Sequence, residues 1–133
     1  MDPLSFGLTL PAVPASVSVV RHLLGGVRGI WPISDSLLHD VQIAVSEACT
    51  NVVKHAYDAT ACGMLEVRGG LEDQEIVVHV CDNGPGVRPS SHHGIGFGLA
   101  LIAALSARME VGHGPDGAHR VSMAFELIDQ AGT

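Results

Sequence analysis

Hydrophobic positions change their spacing several times along this chain, and each change predicts an element. Leu4, Phe6, Leu8 and Leu10 alternate with Ser5, Gly7 and Thr9, a period of two that predicts a strand with one buried face, ended by Pro11 and Pro14. Val17, Val20, Leu23, Leu24 and Val27 then recur at helical spacing, with Ser16 as the expected cap. Gly25, Gly26 and Gly29 weaken the end of that helix. Ser34 and Asp35 offer the next cap. Beyond them Leu37, Leu38, Val41, Ala44, Val45, Ala48, Val52 and Val53 form an apolar stripe too wide for a surface helix. The expectation is a central helix, packed on a sheet and running to about Tyr57.

Met64 to Gly70 and Glu75 to Cys81 read as a strand pair joined by Leu71 to Gln74. In the second of these, Ile76, Val78 and Val80 share one face and Val77, His79 and Cys81 the other. Asp82 is in phase with the first set, so its carboxylate is expected to point toward the helix layer. A loop rich in Gly, Pro and Ser follows from Asn83 to His93. A third helix begins near Gly96 and includes Leu99, Leu101, Ile102 and Leu105. Met109 to Gly112 and Arg120 to Leu127 form a terminal hairpin around Gly114 to Gly117. No internal repeat or interdomain linker interrupts the pattern. The expected fold is α+β: a two-layer sandwich with a mainly antiparallel mixed sheet and helices on one face, in a single domain over residues 1–133.

Composition narrows the function. With 47% hydrophobic residues in 133, the chain has enough apolar material for one core. A formal net charge of −7 argues against broad contact with nucleic acid, which needs Lys and Arg to neutralise phosphates. It does not argue against a nucleotide, because backbone amides, a helix dipole and Mg²⁺ supply positive field locally. Cys49, Cys62 and Cys81 are odd in number and widely spaced, with no CxxC, as reduced thiols would be. The first residues carry no basic segment, and polar residues break every apolar run. The expectation is a soluble cytoplasmic protein with no membrane contact.

Three constellations carry the chemistry. Glu47, Asn51 and His55 are four residues apart, and each step of four turns the side chain by roughly 40°, so they form one polar ridge on an otherwise apolar helix. A carboxylate and a carboxamide there could serve as a general base and a hard-oxygen ligand for Mg²⁺; a solvated helix face would use the same residues. Asp82, Gly84 and Gly86 either make an ordinary turn or place an inward carboxylate beside a backbone that a flat ring can approach closely. The exocyclic amine of adenine fits the second reading. Gly94, Gly96 and Gly98 open a helix whose free N–H groups suit a phosphate. No Lys-Ser or Lys-Thr follows, so this is not a Walker loop. His92 and His93 have no Cys or carboxylate at ligand spacing and read as solvated loop.

Taken in order, these blocks resemble the GHKL ATP-binding superfamily of gyrase, heat-shock chaperone, histidine kinase and MutL-type proteins. The wording from Ser46 to Tyr57, with Glu47, Ala48, Asn51, His55 and Tyr57, is most similar to the small bacterial anti-sigma-factor serine kinases. The resemblance implies a histidine-kinase-like ATPase fold that binds ATP or ADP with Mg²⁺. Glu47 would be the base, Asn51 the Mg²⁺ ligand and Asp82 the adenine reader. His55, Gly84, Gly86, Gly94, Gly96, Phe97 and Gly98 would shape the nucleotide pocket, and Arg21 would meet a partner. It further implies a homodimer that sequesters a sigma factor and phosphorylates a serine on a STAS-domain antagonist.

The chain departs from that pattern in two places. Between the glycine boxes, Val87 to His93 is short, and Arg88 is its one cation, with no Lys to meet a γ-phosphate. Before the last strand, Gly117-Ala118-His119 replaces the family's Gly-Thr. Two alternatives to the kinase therefore stay open: a nucleotide-gated binding module, and a histidine-kinase ATPase domain acting in trans.

Overall fold

The computed structural model describes residues 5–58, 63–82, 96–113 and 119–127, without the side chains of 55–58, 96–97 and 113. β1 (Phe6–Pro11) leads into α1 (Pro14–Gly26), which tightens into a 3₁₀ turn over Val27–Gly29. α2 (Asp35–Asp58) follows, then β2 (Met64–Glu72), β3 (Glu75–Asp82), α3 (Gly96–Leu105), β4 (Arg108–His113) and β5 (His119–Glu126). The sheet order is β1-β2-β3-β5-β4, and all four pairings are antiparallel. The expected α+β sandwich is therefore present, with its sheet wholly antiparallel among the described residues.

The alternation expected of β3 is realised. Ile76, Val78, Val80 and Asp82 are buried, while Val77, His79 and Cys81 are only half-buried. Leu65 and Val67 of β2 and Met123 and Phe125 of β5 share the buried face. Over it lies α2, whose Val41, Ala44, Val45, Ala48 and Cys49 are at most 1% exposed. Removal of this surface from water is the main term holding the layers together. Burial pushes the Cys49 thiol up to about 12, so it stays protonated at neutral pH and acts as a small core residue. Cys62 lies outside the described residues. α2 packs against α1 on one side and α3 on the other. Trp31, buried after the 3₁₀ turn, meets Phe6 of β1 at a ring-centroid distance of 6.1 Å.

Several local expectations change. Ser16 does not cap α1. Val13 holds the N-cap position, Pro14 opens the helix, and the Ser16 hydroxyl donates to the Pro11 carbonyl at 2.6 Å, tying the helix back to β1. Gly25 and Gly26 stay inside α1. The β2–β3 connection is shorter than expected, because Leu71 and Glu72 pair with Ile76 and Glu75 and leave a turn of Asp73 and Gln74. Asp73 adopts φ 56°, a left-handed conformation that Asp tolerates better than most residues. Leu23, placed at helical apolar spacing in α1, and Leu101, placed in the third helix, are each 38% exposed.

Ser34 caps α2 as expected, its Oγ accepting the Leu37 N–H at 3.2 Å. Ser34→Ala removes that acceptor and is expected to lower stability by about 1 kcal/mol. The check is the urea midpoint, with an m-value unchanged from the wild type.

Candidate functional site

Glu47 and Asn51 of α2 face α3, and the contact is built around a missing side chain. A Cβ at Gly98 would stand 3.1 Å from Asn51 Nδ2, 3.3 Å from Asn51 Oδ1 and 3.4 Å from Glu47 Oε2. Glycine at 98 therefore lets the first turn of α3 approach the carboxylate and carboxamide together. Glu47 and Asn51 are half-buried, between the core stripe and solvent. Gly96 is the first residue of α3, so the unpaired N–H groups of that helix start lie one turn or less from Gly98. The carboxamide oxygen of Asn51 is a hard donor of the type Mg²⁺ takes.

Asp82 ends β3 opposite Leu65 and is 2% exposed, on the helix-facing side of the sheet. Asp82 takes part in a further interaction within the protein and lies in the interior. A carboxylate this buried costs several kcal/mol unless hydrogen-bonded or paired, and so is seldom accidental.

The remaining expected positions are distributed as follows. Gly84, Gly86 and Gly94 lie outside the described residues, as do the side chains of His55 and Phe97. Arg21 is exposed on α1. Its Nε donates to Ser46 Oγ at 3.4 Å, and its carbonyl accepts from Gln42 Nε2 at 3.1 Å. Ser46 is itself 8% exposed and immediately precedes Glu47. Sequence reasoning missed Ser46 and Gln42 as the polar link between α1 and α2. The available signal was that both fall on the flank of a stripe otherwise filled by Val and Ala.

Comparison with known proteins decides the family. A model of the histidine kinase-like ATPase domain matches residues 10–125. The chain belongs to the histidine kinase-like ATPase family. Among curated relatives of this family member, the serine-protein kinase RsbW of Bacillus licheniformis is 40% identical over 74 residues, covering 56% of this chain and 46% of the relative. RsbW of Bacillus subtilis (strain 168) is 38% identical over 77 residues, covering 58% and 48%. RsbW of Listeria monocytogenes serovar 1/2a is 40% identical over 77 residues, covering 58% and 49%. The chain thus spans about half the length of the curated relatives it matches. Among solved structures, the RsbU and RsbW domains of Rv1364c from Mycobacterium tuberculosis superpose with a TM-score of 0.71 at 23% identity, over 92% of this chain and 31% of that one. At that identity the likeness establishes the shared fold. No helix among the described residues of this ATPase-family chain is long and apolar enough to cross a membrane.

Proposed function

We propose that this histidine kinase-like ATPase domain binds ATP with Mg²⁺ and transfers the γ-phosphoryl group to a serine of a STAS-domain antagonist. In this reading it also sequesters a sigma factor, acts in the cytoplasm and works as a homodimer. The observation that supports the proposal is the approach of Gly98 to both Glu47 and Asn51, which brings a carboxylate, a carboxamide and a helix N-terminus close together. The likeness to chains named serine-protein kinases supports phosphoryl transfer over the other uses of the fold.

Each residue has a defined task. Asn51 Oδ1 would hold Mg²⁺, which supplies charge neutralisation on the phosphates when bound. Mg²⁺ ordinarily keeps several waters and takes phosphate oxygens beside one or two protein ligands, so a single carboxamide suits it. The Glu47 carboxylate receives the serine hydroxyl proton as the new O–P bond forms and the bond to ADP breaks. The N–H groups opening α3 stabilise the charge on the phosphates. The Asp82 carboxylate, at the buried end of β3, accepts a hydrogen bond from the exocyclic amine of adenine. Arg21 stands on the outer surface of α1, where it would meet a partner.

A second reading, a binding module switched by nucleotide without transfer, is favoured by the short Val87–His93 segment with Arg88 as its sole cation. One experiment separates the two. The tagged chain is used to recover partners from its host with ATP and Mg²⁺, and the recovered STAS-type protein is mapped for phosphoserine. A modified serine that disappears with Glu47→Ala or Asn51→Ala supports the kinase. Recovery of partners carrying no phosphate would replace it with the binding module.

A further inference from the structure

Of the buried polar residues described, Ser16 ties α1 to β1 and Asp82 belongs to the nucleotide reading, but Ser46 has neither task. It is 8% exposed, in the middle of α2 between Val45 and Glu47. Alanine is the better helix former, and a hydroxyl gains nothing from burial by itself, so packing alone does not account for serine there. Consecutive residues of a helix point about 100° apart. Ser46 accordingly turns toward α1, while Glu47 beside it turns toward Gly98 of α3.

Two bonds hold Arg21 of α1 against this side of α2. Its Nε donates to Ser46 Oγ at 3.4 Å, and its carbonyl accepts from Gln42 Nε2 at 3.1 Å. Gln42 and Ser46 are four residues apart, so successive turns of one helix grip Arg21 at backbone and side chain. One turn further, Thr50 Oγ1 donates to the Ser46 carbonyl at 2.8 Å. A helical carbonyl also serves the backbone N–H four residues on, and a hydroxyl sharing it loosens the helix locally. The turn from Ser46 to Thr50 is the one whose other side carries Glu47 and Asn51. The backbone that spaces the proposed base from the proposed metal ligand is thus softened by Thr50 and braced by Arg21.

We propose that Ser46 is a positioning residue for Glu47. Its bond to Arg21 holds this turn of α2 where the Glu47 carboxylate reaches the attacking hydroxyl. A general base acts only within hydrogen-bond reach of its proton, and a misplacement of about 1 Å costs on the order of 100-fold in rate. Losing the brace shifts Glu47 by a fraction of that distance and leaves the nucleotide on Asn51 and the opening of α3. The inference rests on Glu47 as the base of the proposed transfer. Because Ser46 is enclosed, a partner resting on Arg21 does not touch it, so its effect on rate is separable from loss of a partner contact.

Single-turnover transfer from ATP with Mg²⁺ to the STAS-type protein recovered from the host tests it, using the full chain and saturating acceptor. Calorimetric titration with ATP and thermal melting are run on the same samples. Ser46→Ala is expected to slow the saturated rate about tenfold, as a sub-ångström misplacement would, with ATP affinity and half-saturating acceptor concentration within about twofold of wild type. Ser46→Thr keeps the hydroxyl and is expected to restore the rate. Arg21→Met is expected to slow the saturated rate to the same extent, and S46A/R21M to slow it no further, because the two residues act through one bond. A general loss of stability would instead lower melting temperature and ATP affinity together. Wild-type transfer by Ser46→Ala, while Glu47→Gln transfers nothing, would overturn the inference and leave the base in place. Additive slowing in the double variant, or no recovery with Ser46→Thr, would also overturn it. Should Ser46→Ala fail to fold, Arg21→Met decides, and an unchanged saturated rate there overturns the brace. Transfer by Glu47→Gln, or no phosphorylated acceptor with wild type, would remove the proposed transfer mechanism and the inference with it.

Discussion

Replacing Glu47 with Gln is expected to abolish phosphoryl transfer while leaving nucleotide binding in place. Gln keeps the size and much of the hydrogen bonding of Glu but cannot take a proton from an attacking hydroxyl. Removing a general base costs roughly 10² to 10⁴ in rate, and about 1.4 kcal/mol accompanies each factor of ten. Affinity for ATP with Mg²⁺ should change little, because Glu47 touches the incoming hydroxyl rather than the phosphates in the proposed arrangement. The measurement is single-turnover transfer to the antagonist alongside calorimetric titration with ATP. Equal loss of binding and transfer would assign Glu47 to holding the nucleotide. Unchanged transfer would remove it from the mechanism.

The second large effect is expected at Gly98. Within a helix, glycine is less favourable than alanine by about 1 kcal/mol, so an open position would gain stability from Gly→Ala. At 98 the new Cβ stands 3.1 Å from the Asn51 amide nitrogen, which forces that side chain to give by a few tenths of an ångström, and 3.4 Å from Glu47 Oε2, which leaves Glu47 in ordinary contact. Gly98→Ala is therefore expected to leave the melting temperature nearly unchanged, two small terms opposing, while ATP affinity drops several-fold. Gly98→Val adds two methyl groups against the same wall and should lower affinity on the order of 100-fold, about 2.7 kcal/mol. Ala100→Val, on an exposed position of the same helix, is the control and should bind as wild type does. If Gly98→Val bound ATP normally, Asn51 would not be a nucleotide-site residue. If it failed to fold, the Gly98→Ala affinity would still decide the matter.

Glu47 and Asn51 are half-buried on a helix whose apolar stripe is packed in the core, so their rotamers are constrained by packing. Arg21 touches the same helix one residue before Glu47, through Ser46. A partner that engages Arg21 would thus contact an element that also carries the proposed base.

Much of the fold could be read from local pattern. The alternation of Phe6, Leu8 and Leu10, the width of the α2 stripe and the Ser34 cap depend on periodicity and backbone chemistry within a few residues, and each appears where expected. The inward phase of Asp82 followed from the same period of two, and its 2% exposure agrees. Errors were local as well: Ser16 looked like a cap because its residue type fits, but Pro14 fixes the backbone two residues earlier and leaves Ser16 to bond Pro11.

Other features depend on contacts far apart in sequence. β5 inserts between β3 and β4, which makes the last strand central and leaves β4 at the edge; nothing in the hairpin pattern announces that order. α3 is apolar nearly all round, with Leu99 and Ile102 inward and Leu101 outward, so its periodicity could not say which side meets α2. The sequence by itself determined the elements, their buried faces and the residue types available for chemistry, because side-chain period is a local property of the backbone. Only tertiary packing decided that Gly98 closes on Glu47 and Asn51, and that Arg21 reaches Ser46. Those neighbours are set by which helix lies alongside, and that is fixed by burial of the whole core at once.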